Sequence, residues 1–346
     1  MAEPTIPTLM RQEAREAPAV FARQRDLNRE TVRALAAHLR AHPPRLVVTC
    51  ARGSSDHAAS FGKYAIETRL RRMVVSHAPS MSSLYGVRFE GLEGALFLAI
   101  SQSGRSPDLL ASMRAAKAAG AIVVAMVNDE ASPAAGLADW LLPLRAGPEK
   151  AVAATKSYAA ALLAIADLVA EWSDDEALRA AVARAPEDLA AAFDQDWSAA
   201  LEPLAAASSL YVIGRGLTFG VAHEAALKLK ETAALHAECH SAAEVRHGPM
   251  ALARPGFPVL LFTPQDAGAE SYPALVDELT GHGATVFATG GDFPGATSLP
   301  SLPGLHPLVA PIAQVLAFYG LAERLARRRG RDPDNPPGLK KVTETR

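Results

Sequence analysis

The sequence predicts an α/β protein built as two tandem three-layer units, and three observations lead to it. The chain has 346 residues, 49% hydrophobic and 21% charged, which is an ordinary globular composition and enough length for two domains. Apolar runs of four to six residues alternate with helical stretches, the pattern of parallel sheets covered by helices on both faces. The chain also repeats itself at one fixed offset.

The repeat fixes the order of elements. RLVVTCARGSS (45–55) is a short apolar strand running into a Gly/Ser turn, and SLYVIGRGLT (209–218) has the same shape with the same Arg-Gly pair. Placing Gly53 on Gly216 gives an offset of 163, and that offset also places Gly120 on Gly283. LFLAISQSG (96–104) then overlies VLLFTPQDA (259–267), and AAGAIVVAM (118–126) overlies GHGATVFAT (281–289). Each half reads strand, helix, strand, helix, strand, with right-handed crossovers. Residues 155–172 form an Ala/Leu-rich helical pattern, and 174–203 a polar, Ala-rich stretch with another helix or two. In the first forty residues Leu27, Thr31, Leu35 and Leu39 share one helical face, a segment expected to pack across the domains or against a second subunit. The expected organisation is a helical segment at 1–40, a first domain at 41–172, a helical linker at 173–203, a second domain at 204–330 and a tail at 331–346.

Composition excludes several function classes. A net charge of -2 and a pI near 6.6 lack the basic field that nucleic acid requires. No basic start followed by an apolar run opens the chain, and runs such as 95–100 and 259–262 are too short to cross a bilayer. Cys50 and Cys239 form neither a disulfide framework nor a CxxC zinc site. A soluble, cytoplasmic protein is expected. Only eight Lys are present, and six fall at 150–156, 228–230 and 340–341, where a compact titratable amine is wanted.

Ser101-Gln102-Ser103-Gly104-Arg105-Ser106-Pro107 follows the strand ALFLAI and opens a helix. Ser106 suits the N-cap and Pro107 the first helical position. Free N–H groups, three hydroxyls and the positive helix end make a phosphate cradle; a merely well-capped turn fits the pattern equally. The turn Gly53-Ser54-Ser55, before a helix starting near Asp56, lies on a neighbouring strand and could contact the same ligand or simply cap its helix. The second-half loop, Pro264 to Gly268, offers Asp266 and no hydroxyl cluster, so the first half is the one equipped for phosphate.

Glu224, Lys228 and Glu231 form a charged stripe at i, i+4 and i+7 on a helix predicted over about 220–236. From spacing alone this reads as a solvated salt-bridge ladder. His247 closes a polar loop, and RDPDNPPGLKK (331–341) has no periodicity and reads as disordered.

HEAALKLKETAALHAECHSAAEVRHGPMAL (223–252), SQSGRSPD and RDPDNPPGLKKVT together resemble the double-SIS (sugar isomerase) family, namely the isomerase part of glucosamine-6-phosphate synthase and the stand-alone amino-sugar-phosphate deaminases. The resemblance runs from about residue 20 to the end. It implies two tandem SIS domains, each a three-layer α/β/α sandwich with a mainly parallel five-stranded sheet. It implies phosphate binding by Ser101, Gln102, Ser103, Ser106, Gly53, Ser54 and Ser55, with Val152 as a sugar-contacting backbone position. Glu231 is implied as the catalytic base, Lys228 as its helix partner, His247 as the ring-opening group contributed across a homodimer interface, and Lys341 as the tail lysine. No metal and no cofactor are implied.

Those roles suit an aldose–ketose interconversion: Glu231 moves a proton between C2 and C1, His247 shuttles the ring-opening proton, Lys228 stabilises negative charge at the carbonyl oxygen, and Lys341 forms a Schiff base or steers the open chain. Arg52, Arg105 and Ala154 stand where the synthase has Cys, Glu and Ser. The expected activity is deamination of glucosamine 6-phosphate to fructose 6-phosphate, because no glutaminase segment precedes the first domain in this sequence. The alternatives are action on fructosamine or galactosamine 6-phosphate, and a noncatalytic sugar-phosphate sensor.

Overall fold

A computed structural model describes residues 7–341. It contains two five-stranded sheets in which every pairing is parallel. The first comprises β1 (Val47–Cys50), β2 (Val74–Ser76), β3 (Leu96–Ser101), β4 (Ile122–Val127) and β5 (Trp140–Leu141) in the order β2-β1-β3-β4-β5. The second comprises β6 (Ser209–Gly214), β7 (His236–Ser241), β8 (Pro258–Leu261), β9 (Thr285–Thr289) and β10 (Thr297–Leu299) in the order β10-β9-β8-β6-β7. Read from the other edge, the second order repeats the first. Each half thus adds two edge strands to the three central ones that its apolar runs announce.

Alternation along the central strands covers both faces of each sheet. In the first, Val48, Cys50, Phe97, Ala99, Val123, Ala125 and Val127 pack with Leu109, Leu110, Met113 and Ala116 of the helix Pro107–Ala118. Their neighbours Val47, Leu96, Leu98, Ile100, Val124 and Met126 are equally buried, so a second layer of helices covers the opposite face. In the second sheet Tyr211, Ile213, Val259, Leu261, Val286 and Ala288 pack in the same way with Leu275, Val276 and Leu279 of the helix Tyr272–Gly281.

The repeat extends to backbone conformation. Gly53 and Gly216 have φ of 55° and 58°, and Gly120 and Gly283 have 85° and 83°, so both aligned pairs occupy the left-handed region where glycine is favoured. The ungapped alignment between them is nevertheless one residue out of step at the middle strand. Leu96 pairs with Ile122, whereas Thr285, the counterpart of Ile122, pairs with Pro258. The counterpart of Leu96 is therefore Pro258 at an offset of 162, and Thr263 rather than Pro264 answers to Ser101.

The chain divides into two compact units: residues 19–148 with 157–186 carry the first sheet, and residues 7–18, 149–156 and 187–341 the second. Among the described residues no helix is long and apolar enough to cross a membrane. In the first unit Asp167, on the helix Lys156–Ser173, lines a cavity of about 300 Å³ together with Arg25, Arg29, Arg33, Glu171, Glu176 and Arg179. Burial and the neighbouring Glu171 push its carboxyl up to about 7, against the pull of Arg33 and Arg29.

That shift gives a pH dependence of known sign. The folded-state value lies above the unfolded one, so the ionisation penalty on the native state grows as pH rises from about 4 to 7 and is complete above 7. Asp167→Asn is expected to stabilise the protein by more than about 1 kcal/mol at pH 8 and to leave it unchanged near pH 4. Urea unfolding at both values measures this; a gain of equal size at pH 4 would remove Asp167 ionisation as the cause.

Candidate active site

In an open parallel sheet of order 2-1-3-4-5 the crevice for a ligand lies beyond the carboxyl ends of the strands at which the order reverses, here β1 and β3. The turn Arg52-Gly53 follows β1 and the loop Ser101–Ser106 follows β3. Ser101 Oγ accepts the Gly104 N–H at 3.0 Å, and Ser103 Oγ accepts the Arg105 N–H at 3.4 Å. Gly104 is buried at φ 62°, and a Cβ there would stand 2.3 Å from Ser132 Oγ, so the loop closes tightly onto the residues behind it.

Ser106 occupies the N-cap of the helix Pro107–Ala118 with Pro107 behind it, yet its side chain makes no cap hydrogen bond. Among the described residues neither its hydroxyl nor those of Ser55 and the amide of Gln102 has a hydrogen-bond partner. A turn built only for capping would use the Ser106 oxygen. Around Gly53 the helix begins earlier than the sequence suggests: it spans Ser54–Leu70, so Ser54 and Ser55 stand in its first turn. The Gly53 carbonyl accepts the N–H groups of Asp56 at 2.9 Å and His57 at 3.2 Å.

Two guanidiniums belong to this neighbourhood. Arg52 donates through Nε to Asp108 Oδ2 at 3.0 Å, and Arg105 through Nη2 to Asp129 Oδ2 at 2.7 Å. Asp108, the second residue of the loop's helix, is fully buried and also accepts the Leu109 N–H. The bond from Arg105 holds the Asp129 carboxyl below its ordinary range.

In the second unit the charged stripe is not the solvated ladder that its spacing suggests. The helix spans Phe219–Ala233 and ends at Ala234, which adopts φ 49°. It packs against β6, β7 and the helix Ala310–Arg328. Its stripe therefore points inward: the Lys228 and Glu224 side chains are 1% and 0% exposed, and Glu231 is 22% exposed. Lys228 Nζ lies 3.5 Å from Glu224 Oε1 and donates a hydrogen bond to Glu231 Oε2. Tyr319 donates its hydroxyl to Glu224 Oε1 at 3.3 Å. Burial disfavours the ammonium, but Glu224 and Glu231 outweigh it and hold Lys228 above its ordinary range. The outcome is a charged lysine with one carboxylate sealed behind it and one that still reaches solvent.

The tail is tied down along its length. Asp334 accepts the N–H groups of Leu9 and Met10 at 2.7 Å each, and its carbonyl accepts the Val152 N–H at 3.2 Å. Lys341 donates to Glu149 Oε2 at 3.1 Å and to the Ala151 carbonyl at 2.7 Å. Glu149, which the sequence reading did not single out, is buried and also accepts the Thr155 N–H at 2.9 Å. Its only signal was the cluster of lysines around it: Lys156 is likewise buried and donates to Glu16 at 2.6 Å. The disorder read from the tail's aperiodic sequence does not hold for residues 331–341; residues 342–346 lie outside the described range.

The structure thus brings Lys228 onto Glu231, and Val152 and Lys341 onto the tail's anchors. His247 stands apart. It is exposed, follows the turn Glu244–Arg246, and among the described residues no hydrogen bond or ion pair joins it to Lys228, Glu231 or Lys341. No cluster of His, Cys, Asp or Glu among the described residues is placed to hold a metal ion.

Comparison with known families matches the SIS domain at residues 39–170 and 203–288, one segment in each half. The chain belongs to the SIS domain family. Its two five-stranded parallel units are tandem SIS domains. A glutamine–fructose-6-phosphate aminotransferase (isomerizing) of Symbiobacterium thermophilum is 37% identical over 325 residues, covering 88% of this chain and 52% of that protein. The chain therefore spans about half the length of the curated relatives it matches, and the homology is to their isomerase part. A solved structure from Silicibacter pomeroyi DSS-3, assigned as a phosphosugar isomerase, superimposes with a TM-score of 0.91 at 44% identity, covering 95% of this chain and all of that one. The C-terminal domain of the glucosamine-fructose-6-phosphate aminotransferase from Francisella tularensis shares the SIS fold, with a TM-score of 0.82 at 23% identity over 97% of this chain and all of that one.

Removing the amine from the Lys228 cluster would leave Glu224 buried beside an empty space. Lys228→Ala is expected to cost about 3–5 kcal/mol, while Glu224→Gln combined with Lys228→Met recovers most of the loss. Denaturant unfolding of the two variants checks this, and a single-variant cost below about 1 kcal/mol would mean that the cluster is wet rather than sealed.

Proposed function

We propose that this SIS protein is a sugar-phosphate isomerase that deaminates glucosamine 6-phosphate, giving fructose 6-phosphate and ammonia. The observation that carries the reading is the Lys228–Glu231 pair: a buried, charged lysine holding a solvent-reaching carboxylate on the helix that follows β6. The names of relatives from the same family, an isomerizing aminotransferase and a phosphosugar isomerase, agree with it.

The chemistry follows from what each group can hold. The Ser101–Ser106 loop, with Gln102 and the Gly53-Ser54-Ser55 turn, binds the phosphate through hydroxyls, backbone N–H groups and the helix end. His247 passes the O5 proton during ring opening, which exposes the C1 aldehyde. Glu231 takes the proton from C2 and returns one to C1, so the C2 amine becomes an imine through an enolamine. Lys228 holds the Glu231 carboxylate in place and offsets negative charge on the C1 oxygen as the enolamine forms. Water adds to the C2 imine and ammonia leaves, which balances the reaction. Lys341, held on Glu149 and Ala151, steers the open chain with Val152 beside it.

We propose a homodimer in which His247 serves the partner's site, because among the described residues no hydrogen bond or ion pair fixes the exposed imidazole, while its backbone N–H is held by the Glu244 carbonyl.

Two measurements test these readings. Purified protein is expected to release ammonia from glucosamine 6-phosphate, and Glu231→Gln to lower kcat by at least about a hundredfold while still binding the sugar phosphate. Absence of release from glucosamine, galactosamine and fructosamine 6-phosphates alike would end the proposal, and turnover of only one of the latter two would redirect it to that substrate. Co-expressed His247→Ala and Glu231→Gln chains are expected to regain activity that neither has alone. Mixed dimers as inactive as the parents would place His247 in its own chain's site or outside the chemistry.

A further inference from the structure

The anion-binding half of the molecule carries more positive charge than a hydroxyl loop needs, and that charge is set symmetrically. The loop Ser101–Ser106 leaves β3, the middle strand of its sheet. Arg52 leaves β1 on one side of β3, and Asp129, which holds Arg105, follows β4 on the other. The two guanidiniums therefore flank the loop.

Each is aimed by a single donor. Arg52 uses only Nε, on a carboxylate locked at the start of the loop's own helix, and Arg105 uses only one Nη2 bond, on Asp129. Both side chains are 53% exposed, and among the described residues their remaining N–H groups have no acceptor. An arginine tethered at one edge of its fork presents the other edge pre-oriented, which is the arrangement suited to an oxyanion.

The second sheet supplies an internal comparison. Arg215 is the repeat counterpart of Arg52, but it donates Nη1 to Ser271 at 3.1 Å, and the loop after its middle strand carries Asp266, whose carboxylate accepts the Gly268 N–H. Each arginine makes one side-chain bond, but Arg215 is half-buried and shares its sheet with the acidic Asp266 loop, whereas Arg52 is exposed and shares its sheet with the hydroxyl loop.

We propose that Arg52 and Arg105 are phosphate-clamping residues that grip the substrate's phosphate monoester from opposite sides of the Ser101–Ser106 loop and set the preference for phosphorylated over free sugars. This rests on the phosphate assignment above and extends it to two side chains. The clamp acts on binding of the anion and takes no part in proton transfer at C1 or C2.

The test measures inorganic phosphate binding by calorimetry alongside steady-state kinetics with glucosamine 6-phosphate. Arg105→Ala is expected to weaken phosphate binding and raise KM in parallel by about ten- to a hundredfold, the worth of one charge-assisted hydrogen bond, with kcat changed less than about threefold. Arg105→Lys should recover part of the loss, since it keeps the charge but not the fork. Because Arg52→Ala alone would take the guanidinium away from the buried Asp108 carboxylate, it is made together with Asp108→Asn; the pair should show the same loss of phosphate affinity in a folded protein. Arg114→Ala, an exposed arginine further along the same helix, controls for net charge and should leave both readouts unchanged. Phosphate affinity and KM within twofold of wild type in the Arg105 and Arg52/Asp108 variants would overturn the clamp, as would an equal loss in Arg114→Ala. If no sugar phosphate is turned over but phosphate affinity falls as described, the clamp stands and the deaminase reading fails; normal turnover with unchanged affinity gives the reverse.

Discussion

Parallel pairing is the constraint on which the rest of this molecule depends. A parallel strand cannot be reached by a tight hairpin, so each connection must carry the chain back to the same end of the sheet, most of them here through a helix. All the strand-to-helix turns of one sheet consequently emerge along one edge, and the 2-1-3-4-5 order opens a crevice there between β1 and β3 and again between β6 and β8. The candidate site residues sit just past those strands or on the helices that follow them: Arg52 to Ser55 after β1, Ser101 to Ser106 after β3, and Glu224 to Glu231 on the helix after β6. The repeat supplied this frame twice, and the two copies then diverged in what they present.

The divergence can be followed through single residues. Gly53 and Gly216 keep the same left-handed turn, so the backbone requirement survived in both copies. The side chains beside them did not keep the same partners: Arg52 holds a carboxylate at a helix start, whereas Arg215 holds Ser271. The middle strand of the second sheet is displaced by one residue, which sets Thr263 opposite Ser101. Thr263 is buried, its N–H donating to Thr289 and its carbonyl accepting from Gln314, so the position that opens the Ser101–Ser106 loop in one copy is a packing position in the other.

What the sequence made legible follows from which signals are local. The six central strands were visible because both their faces are buried, so they read as continuous apolar runs, and the glycines at 53, 120, 216 and 283 marked turns that only a left-handed conformation closes. The four edge strands were not visible as apolar runs, because β2, β5, β7 and β10 are short or polar, and in β7, HAECHS, only Ala237 is buried. The family resemblance supplied their number. The Ser101–Ser106 stretch could be read as a loop but a ligand cradle could not be distinguished from a cap, since the distinction is whether the Ser106 oxygen is occupied, and that is a matter of rotamer rather than residue type. The tail and Glu149 were illegible for a different reason: the bonds that tie the tail down span 192 positions at Lys341–Glu149 and 325 at Asp334–Leu9, distances over which no periodicity acts.

The charged stripe shows most clearly where local reasoning stops. Glu224, Lys228 and Glu231 at i, i+4 and i+7 look the same on a wet surface and in a core, and the base rate favours the surface. Burial is decided by what else packs on that face, here the helix Ala310–Arg328, which brings Tyr319 to Glu224. Once sealed, the stripe cannot be a device for stability, because desolvating a lysine and a carboxylate costs more than an apolar pair of similar volume would. Glu231 separates a structural account from a chemical one. A purely structural cluster would be complete with Lys228 and Glu224, whereas the second carboxylate gives the buried amine a partner that remains reachable from outside. A carboxylate fixed by a charged lysine and open on one side is the arrangement a proton-transferring base requires, and it accounts for a costly arrangement that packing alone does not.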